Sequence, residues 1–302
     1  MQTVGIIGIG TYFPTTIETA ADLAPVMDIP EHILREKMGI TQRHVADEHD
    51  TITAMASKAA QAAIEQAGID PAEIDLVISH GSQHKDHLVW NSGSKIQHNI
   101  GAINAYSFEM YALCAGAPIA LNMAKSMMLG DPALKTVVLA AASKENELIN
   151  FKNQRSRFMF NFGSGGGAMI LQRDATKNLV LGSSAFTDGS LSETVILTEE
   201  AIPSGEADVV GEVKGRLDVT DPEFMASRLG DTTMDNFLKV MREALEKSNA
   251  TFDDVKFLGI THMKKSFYLQ ILDAIGLTPE QSVYLENYGH IQSIDQAIAI
   301  QL

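Results

Sequence analysis

The sequence predicts an α/β fold with a mainly parallel or mixed sheet. Two observations carry that expectation: short β-branched runs alternate with helical stretches, and one helix–strand unit recurs late in the chain. Val4–Gly10 is β-branched and Gly-punctuated and reads as a buried strand. Helical stretches follow around Ala21–Met27 and Glu31–Met38. Thr51–Ala67 is Ala-rich with helical apolar spacing, and Gly68 takes the usual glycine position after a helix C-terminus. Ile74–Ser79 is a short apolar run and so a buried strand, Ser92–Asn99 a helix and Ala105–Leu113 a strand. Pro118–Leu129 completes the pattern as a helix, with Thr136–Ala142 and Gly166–Leu171 as strands.

The chain then repeats itself. Ala63–Ser79 (AIEQAGIDPAEIDLVIS) and Ala244–Ile260 (ALEKSNATFDDVKFLGI) both read helix, short acidic linker, buried strand, about 181 positions apart. Leu179–Phe186 echoes the opening strand. The strand Lys256–Ile260 precedes a helix over Ser266–Ile275, and Val283–Leu285 precedes one over Gln292–Ile300. Two copies at so long a period are not a solenoid. They read as two similar halves, residues 1–175 and 176–302, about a pseudo-twofold axis; the competing view is that helix–strand units simply look alike.

Composition narrows the function. The 302 residues carry 38 acidic and 23 basic side chains, a formal net charge of −15, which argues against nucleic acid and anionic lipid as partners. At 45% hydrophobic residues the chain is globular rather than disordered. The single cysteine, Cys114, excludes an internal disulfide framework and any multi-cysteine metal site, and makes the cytosol the default compartment. No apolar run approaches ~18 residues, and MQTVGIIGIGTYFP lacks the basic flank and cleavage site of a signal peptide.

Cys114, in YALCAGAP, lies where a predicted strand meets a predicted helix, so the helix N-terminus stabilises a thiolate there; the alternative is an inert buried cysteine. His262 and His290 stand at the corresponding strand-to-helix turns, the sheet edge where α/β proteins gather reactive groups. A cysteine with two histidines supplies a nucleophile, a base and an electrophilic donor. His80, His84 and His87 with Asp86 form a denser cluster whose spacing fits a solvated loop better than a metal site. Gly163–Ala168 (GSGGGA) lacks the ending of a nucleotide loop and leads into a strand, so tight packing explains it better than phosphate binding. Arg155 and Arg157 read as a solvated turn or as a seat for a phosphate or an acidic carrier.

These residues resemble the β-ketoacyl-acyl-carrier-protein synthase III group of the thiolase superfamily. MGITQRHVAD (Met38–Asp47), AGIDPAEIDLVI (Ala67–Ile78), SKIQHNIGA (Ser94–Ala102), YALCAGAP, FGSGGGAMIL (Phe162–Leu171), LGITHMKK and LENYGH carry the likeness, in order along nearly the whole chain. The resemblance implies a five-layer αβαβα fold of two duplicated halves, usually as a homodimer. It implies Cys114 as the acyl-accepting nucleophile and His262 as the histidine that assists decarboxylation. His290 falls where the family normally has Asn. The reaction implied is decarboxylative condensation of an acyl-coenzyme A with malonyl-ACP or malonyl-CoA, without a cofactor, as in fatty-acid synthesis. Acyl transfer to another acceptor, or a non-catalytic dimer subunit, are the alternatives.

Lys37 and Ile33 lie where the family holds the nucleotide of coenzyme A with Arg and Trp, and Val89–Trp90 replaces a Phe-Pro beside the acyl pocket. Lys264 and Lys265 replace Ala and Asn and either meet phosphates or begin a solvated helix. Substrate-binding candidates are therefore Lys37, Trp90, Arg155, Arg157, Lys264 and Lys265, with no metal ligand expected. By internal symmetry and by the resemblance, the second half lacks its last two strands, so a natural chain longer by roughly 25–40 residues is expected.

Overall fold

The computed structural model describes residues 2–199 and 215–302. The first part contains β1 (Val4–Tyr12), β2 (Thr16–Thr19), α1 (Ala20–Met27), α2 (Glu31–Ile33), β3 (Gln42–Val45), α3 (Ile52–Ala67), β4 (Leu76–Gly81), α4 (Ser92–Asn99), β5 (Tyr106–Tyr111), α5 (Gly116–Gly130), β6 (Thr136–Ser143) and β7 (Gly165–Arg173). There follow β8 (Val195–Glu199), β9 (Gly215–Val219), α6 (Pro222–Lys247), α7 (Lys265–Ala274) and α8 (Asp295–Gln301).

The main sheet has the order β1-β7-β6-β4-β5. β4 is parallel to both β5 and β6, while β7 is antiparallel to β6 and β1, so the sheet is mixed. Strand alternation sends Val77, Val138, Ala140, Ala168 and Ile170 to one face, beneath α3 and α4. Leu76, Ile78, Val137, Leu139 and Leu171 point to the other face, beneath Ala120, Ala124 and Met128 of α5.

Local chemistry bounds these elements. The Thr51 side chain accepts the Ala54 N–H to cap α3, and Gly68 closes it at φ +65°. The alanines of α3 let it lie directly on the sheet. A Cβ at Gly10 would stand 2.2 Å from the Ala59 carbonyl oxygen, and one at Gly166 2.4 Å from that of Met55. The glycine run therefore serves close packing inside β7. The strand predicted from Ile74 starts two residues later because Asp70 caps a helical turn over Pro71–Glu73 that ends at Ile74.

Three predicted strands are not strands. Leu179–Phe186 touches β1 through a single bridge, with the Val180 N–H donating to the Val4 oxygen (2.9 Å), and then leaves it. Ser248 Oγ takes the Gly182 N–H at 2.9 Å and Lys247 Nζ takes the Ser183 oxygen at 2.9 Å, groups a ladder would have used. Lys256–Ile260 and Val283–Leu285 share only one parallel bridge, Leu258 with Ser282. The Ser282 hydroxyl, at 2.6 Å, satisfies the Leu258 oxygen in place of a second backbone bond. The repeated unit keeps its local order nevertheless. α3, the turn Pro71–Glu73 and β4 correspond to α6, the turn Phe252–Asp254 and the extended segment through Ile260. α6 packs Met234, Phe237, Leu238 and Met241 on Tyr268, Ile271 and Leu272 of α7.

The contrast between two glycines tests this packing. Gly10→Ala drives a methyl group into the α3 backbone and is expected to cost about 2–3 kcal/mol. Gly68→Ala meets nothing within 4 Å and pays only for its positive φ, about 1 kcal/mol. Urea unfolding of the two variants measures the difference.

Candidate active site

Cys114 sits in a helical turn over Leu113–Ala115 that runs into α5. β5 ends at Tyr111, and the chain turns sharply through Leu113 at φ +49°. A non-glycine residue there is strained, a state that persists only where the surroundings enforce it. The turn leaves Cys114 half-buried between exposed neighbours, with its sulfur at the N-terminal end of a helix.

His290 is brought to that sulfur by the glycine-rich strand entry. Its N–H donates to the Asn161 oxygen (2.8 Å) and its carbonyl accepts from the Gly163 N–H (3.0 Å). This bridge tolerates no side chains: a Cβ at Gly163 would lie 2.3 Å from the Tyr288 oxygen, and one at Gly289, at φ +74°, 2.4 Å from that of Asn161. Arg43, the arginine of MGITQRH, stabilises the same strand. It pairs with Glu18 at 2.7 Å and donates to the Phe160 and Phe162 carbonyls at 3.3 and 2.8 Å. The Phe162 ring stands edge-on to His290, centroids 5.1 Å apart.

His290 Nε2 is 3.1 Å from Cys114 Sγ, and Nδ1 donates to Asp295 Oδ2 at 2.6 Å. Burial pulls its pKa down, but the Asp295 carboxylate and Cys114 override this and raise it well above the ordinary value. The amide of Gln292 also meets the sulfur, 2.9 Å away, from a residue held at φ +51°.

His262 belongs to the same enclosure. Its backbone N–H donates to Asp295 Oδ2 at 2.8 Å. Its ring lies 4.7 Å from that of Tyr284, whose hydroxyl donates to the Met263 oxygen at 2.7 Å. A Cβ at Gly39 would fall 1.8 Å from that hydroxyl, so the glycine of MGITQRH makes room for the ring that supports His262. Both ring nitrogens of His262 are buried without a hydrogen-bond partner, the Gly39 backbone being near enough only to nudge the pKa upward. Burial, opposed by Asp295 and aided by His290, lowers that pKa to about 4. The ring is thus neutral, with one N–H free to donate and one nitrogen free to accept.

The other candidates are dispersed. His80 is buried and bonds Ser293 Oγ at 3.1 Å, His84 lies 3.6 Å from Glu147, and His87 packs edge-on against Trp90. Asp86 accepts from Thr53. Among the described residues no three His, Cys, Asp or Glu groups gather to hold a metal. Arg155 is engaged by Asp218 on β9, whereas Arg157 is exposed. Lys37 and Lys264 are exposed, and Lys265 lies 3.7 Å from Glu286 and over the Tyr284 ring. Trp90 is half-buried, and its carbonyl accepts from Lys85.

Asp295 and Gln292 escaped the sequence reading. An acid in the first turn of a predicted helix is ordinarily accounted for by the helix dipole. The available signal was its position, five residues after a candidate histidine, as the one charged residue in the run SIDQAIAI.

His80 and His262 make stability pH-dependent. Burial lowers the pKa of each to about 4, against 6.5 when unfolded. The unfolded chain therefore binds more protons between those values, so their contribution is complete above pH 6.5 and is lost as pH falls toward 4. The loss is about 1.4 kcal/mol per pH unit per histidine. His290, raised instead, has the opposite sign: its contribution is complete below its unfolded value and lost as pH rises through its folded one. Urea unfolding across the acid window is expected to show the decline, with a clearly shallower slope in His80→Gln.

The chain matches known proteins along this same framework. A family model described as 3-Oxoacyl-[acyl-carrier-protein (ACP)] synthase III matches residues 108–189, from β5 through Cys114 to beyond β7. The β-ketoacyl-[acyl-carrier-protein] synthase III of Rickettsia canadensis (strain McKiel) is 36% identical over 188 residues, 62% of this chain and 58% of that protein. The Rickettsia rickettsii (strain Sheila Smith) protein of the same name is 32% identical over 67% of this chain and 62% of its own length. The chain thus spans about three fifths of these relatives. The Aquifex aeolicus (strain VF5) protein of that name is 27% identical over 98% of this chain and 88% of its own length. Its synthase III crystal structure superposes with a TM-score of 0.83 at 25% identity, covering 99% of this chain and 89% of that one. The priming β-ketosynthase of the R1128 polyketide pathway shares the fold, with a TM-score of 0.82 at 24% identity over 99% of this chain and 86% of that one. The mixed sheet, the cysteine at the head of α5 and these likenesses together make the chain similar to the β-ketoacyl-acyl-carrier-protein synthase III proteins, whose thiolase-type fold it shares.

Proposed function

We propose that the chain is an acyltransferase that takes an acyl group from acyl-coenzyme A onto Cys114. The acyl group is then condensed with malonyl-ACP or malonyl-CoA with loss of carbon dioxide. The observation that carries this is the sulfur of Cys114 standing 3.1 Å from His290 Nε2, at the N-terminal end of α5, with the neutral His262 in the same enclosure. Cys114 attacks the thioester carbonyl and the coenzyme A thiol leaves. His262 and His290 then donate to the malonyl thioester oxygen, where enolate charge develops as carbon dioxide departs. The carbanion attacks the acyl-cysteine and frees the sulfur. No cofactor takes part in this scheme.

The exposed cations Lys37, Arg157 and Lys264 suit the phosphates of coenzyme A or of the carrier arm on an otherwise acidic protein. Arg155, Lys265 and Trp90 serve there only by leaving or sharing their present contacts. The domains proposed are two thiolase-like halves, 1–175 and 176–302, supported by the repeated helix–turn–strand order. A cytosolic homodimer is the proposed assembly. It is supported by the edge position of β5 and by exposed Leu88, Val89, Ile103 and Tyr106 nearby in sequence.

A second reading, acyl transfer to an amine or hydroxyl without decarboxylation, is favoured by the carboxylate behind His290, the arrangement of a general base. Two measurements separate the readings. Intact-mass analysis after incubation with a panel of acyl-coenzyme A thioesters is expected to show one acyl adduct per chain, absent in Cys114→Ala. Carbon dioxide release from malonyl-ACP is expected in the wild type and reduced about 10²–10³-fold in His262→Ala. Adduct formation without carbon dioxide release selects the second reading, and no adduct from any thioester overturns both.

A further inference from the structure

One carboxylate organises the candidate site. Asp295 is fully buried, and its two oxygens accept three N–H groups: His262 N–H at 2.8 Å and His290 Nδ1–H at 2.6 Å on Oδ2, and Ile291 N–H at 2.7 Å on Oδ1. Three of the roughly four lone-pair sites of the carboxylate thus accept N–H groups, an arrangement that favours its ionised form. A carboxylate buried in this way requires a countercharge.

The groups that face it identify that countercharge. Across His290 stands Cys114, and on the neighbouring segment His262, whose ring is neutral and whose contact with Asp295 is through its backbone. The uncharged Phe162 ring stands edge-on to His290. Asp295 has no Lys or Arg in ion-pair contact among the described residues. The His290 imidazole is the group placed to hold the proton.

We propose that Asp295 is a positioning residue that keeps His290 as a charged donor aimed at Cys114, so that the resting site is a thiolate–imidazolium–carboxylate triad. The proton moves from Cys114 Sγ to His290 Nε2, the S–H bond breaking as the N–H bond forms, and the net charge of the three groups stays −1. The same carboxylate accepts the backbone N–H of His262, so one residue holds His290 against the sulfur and also anchors His262. Its meaning in turnover rests on the acyl-cysteine reading. Once Cys114 is acylated, the departing coenzyme A thiolate takes the His290 proton. His290 regains a proton from solvent and faces the thioester oxygen as a cation, a stronger donor than a neutral amide.

Iodoacetamide alkylation of the full-length protein tests the triad without any thioester. Cys114 is the only cysteine in the sequence, so a single mass shift reports it. A thiol with no partner slows roughly eightyfold between pH 8 and pH 6. The wild type is expected to slow less than about threefold, because its thiolate persists. Asp295→Ala is expected to slow more than about tenfold over the same interval; a purely structural role would lower the rates at both pH values and leave their ratio unchanged. If circular dichroism shows that Asp295→Ala does not fold, the ratios of the wild type and His290→Asn decide. His290→Asn is expected to behave as an unpartnered thiol. A wild-type ratio near eightyfold, or a flat profile in a folded Asp295→Ala or in His290→Asn, overturns the proposal. Failure of thioester labelling leaves this profile untouched, so the two readings fail separately.

Discussion

A carboxylate with no solvent around it must be satisfied entirely by protein, and Asp295 meets that requirement by drawing in three N–H groups, two from its own turn and one from a distant segment. His262 lies 33 positions from it in the chain, while His290, five positions away, reaches Cys114. Removing one partner of a buried charge commonly costs about 3–5 kcal/mol. The geometry of the histidines and the stability of the C-terminal segment are therefore one problem rather than two. The acid stabilises the turn over residues 290–295, and that turn carries the two side chains that touch the sulfur, His290 and Gln292.

Cys114 reaches the same point by backbone constraint. Small residues let α3 press onto β1 and β7 on one face, while α5 and the turn before α8 press from the other. Gly116 and Gly167 both lie where a Cβ would meet this turn: 2.9 Å from Ser293 Cβ and 2.9 Å from Ile294 Cβ, respectively. The sheet, the cysteine-bearing helix and the histidine-bearing turn thus meet without intervening side chains. Leu113 and Gln292, the residues with positive φ nearest the sulfur, mark where the chain is bent to make that meeting.

Much of this was legible from local chemistry. The helix over Thr51–Ala67 and its glycine stop, the buried strands of the first half and the placement of Cys114 at a strand-to-helix junction all follow from rules of periodicity and capping. The strands of the second half were not. Apolar β-branched runs at Leu179, Lys256 and Val283 satisfy the same local rules, but a strand exists only where a neighbour completes its ladder. There, Ser248 and Ser282 take the backbone groups instead. The His80–His87 cluster shows the converse: near in sequence, its members point to Ser293, Glu147 and Trp90 and share no centre.

The sequence by itself determined the α/β class, the single candidate cysteine and the two candidate histidines, because residue type and local period are written along the chain. Only the tertiary structure decided that His290 rather than His262 faces the sulfur, that Asp295 stands behind it, and that the two histidines carry opposite pKa shifts. Those outcomes depend on burial and on charges brought within hydrogen-bonding distance from positions far apart in the chain. The same imidazole is neutral or cationic according to which groups the fold places around it.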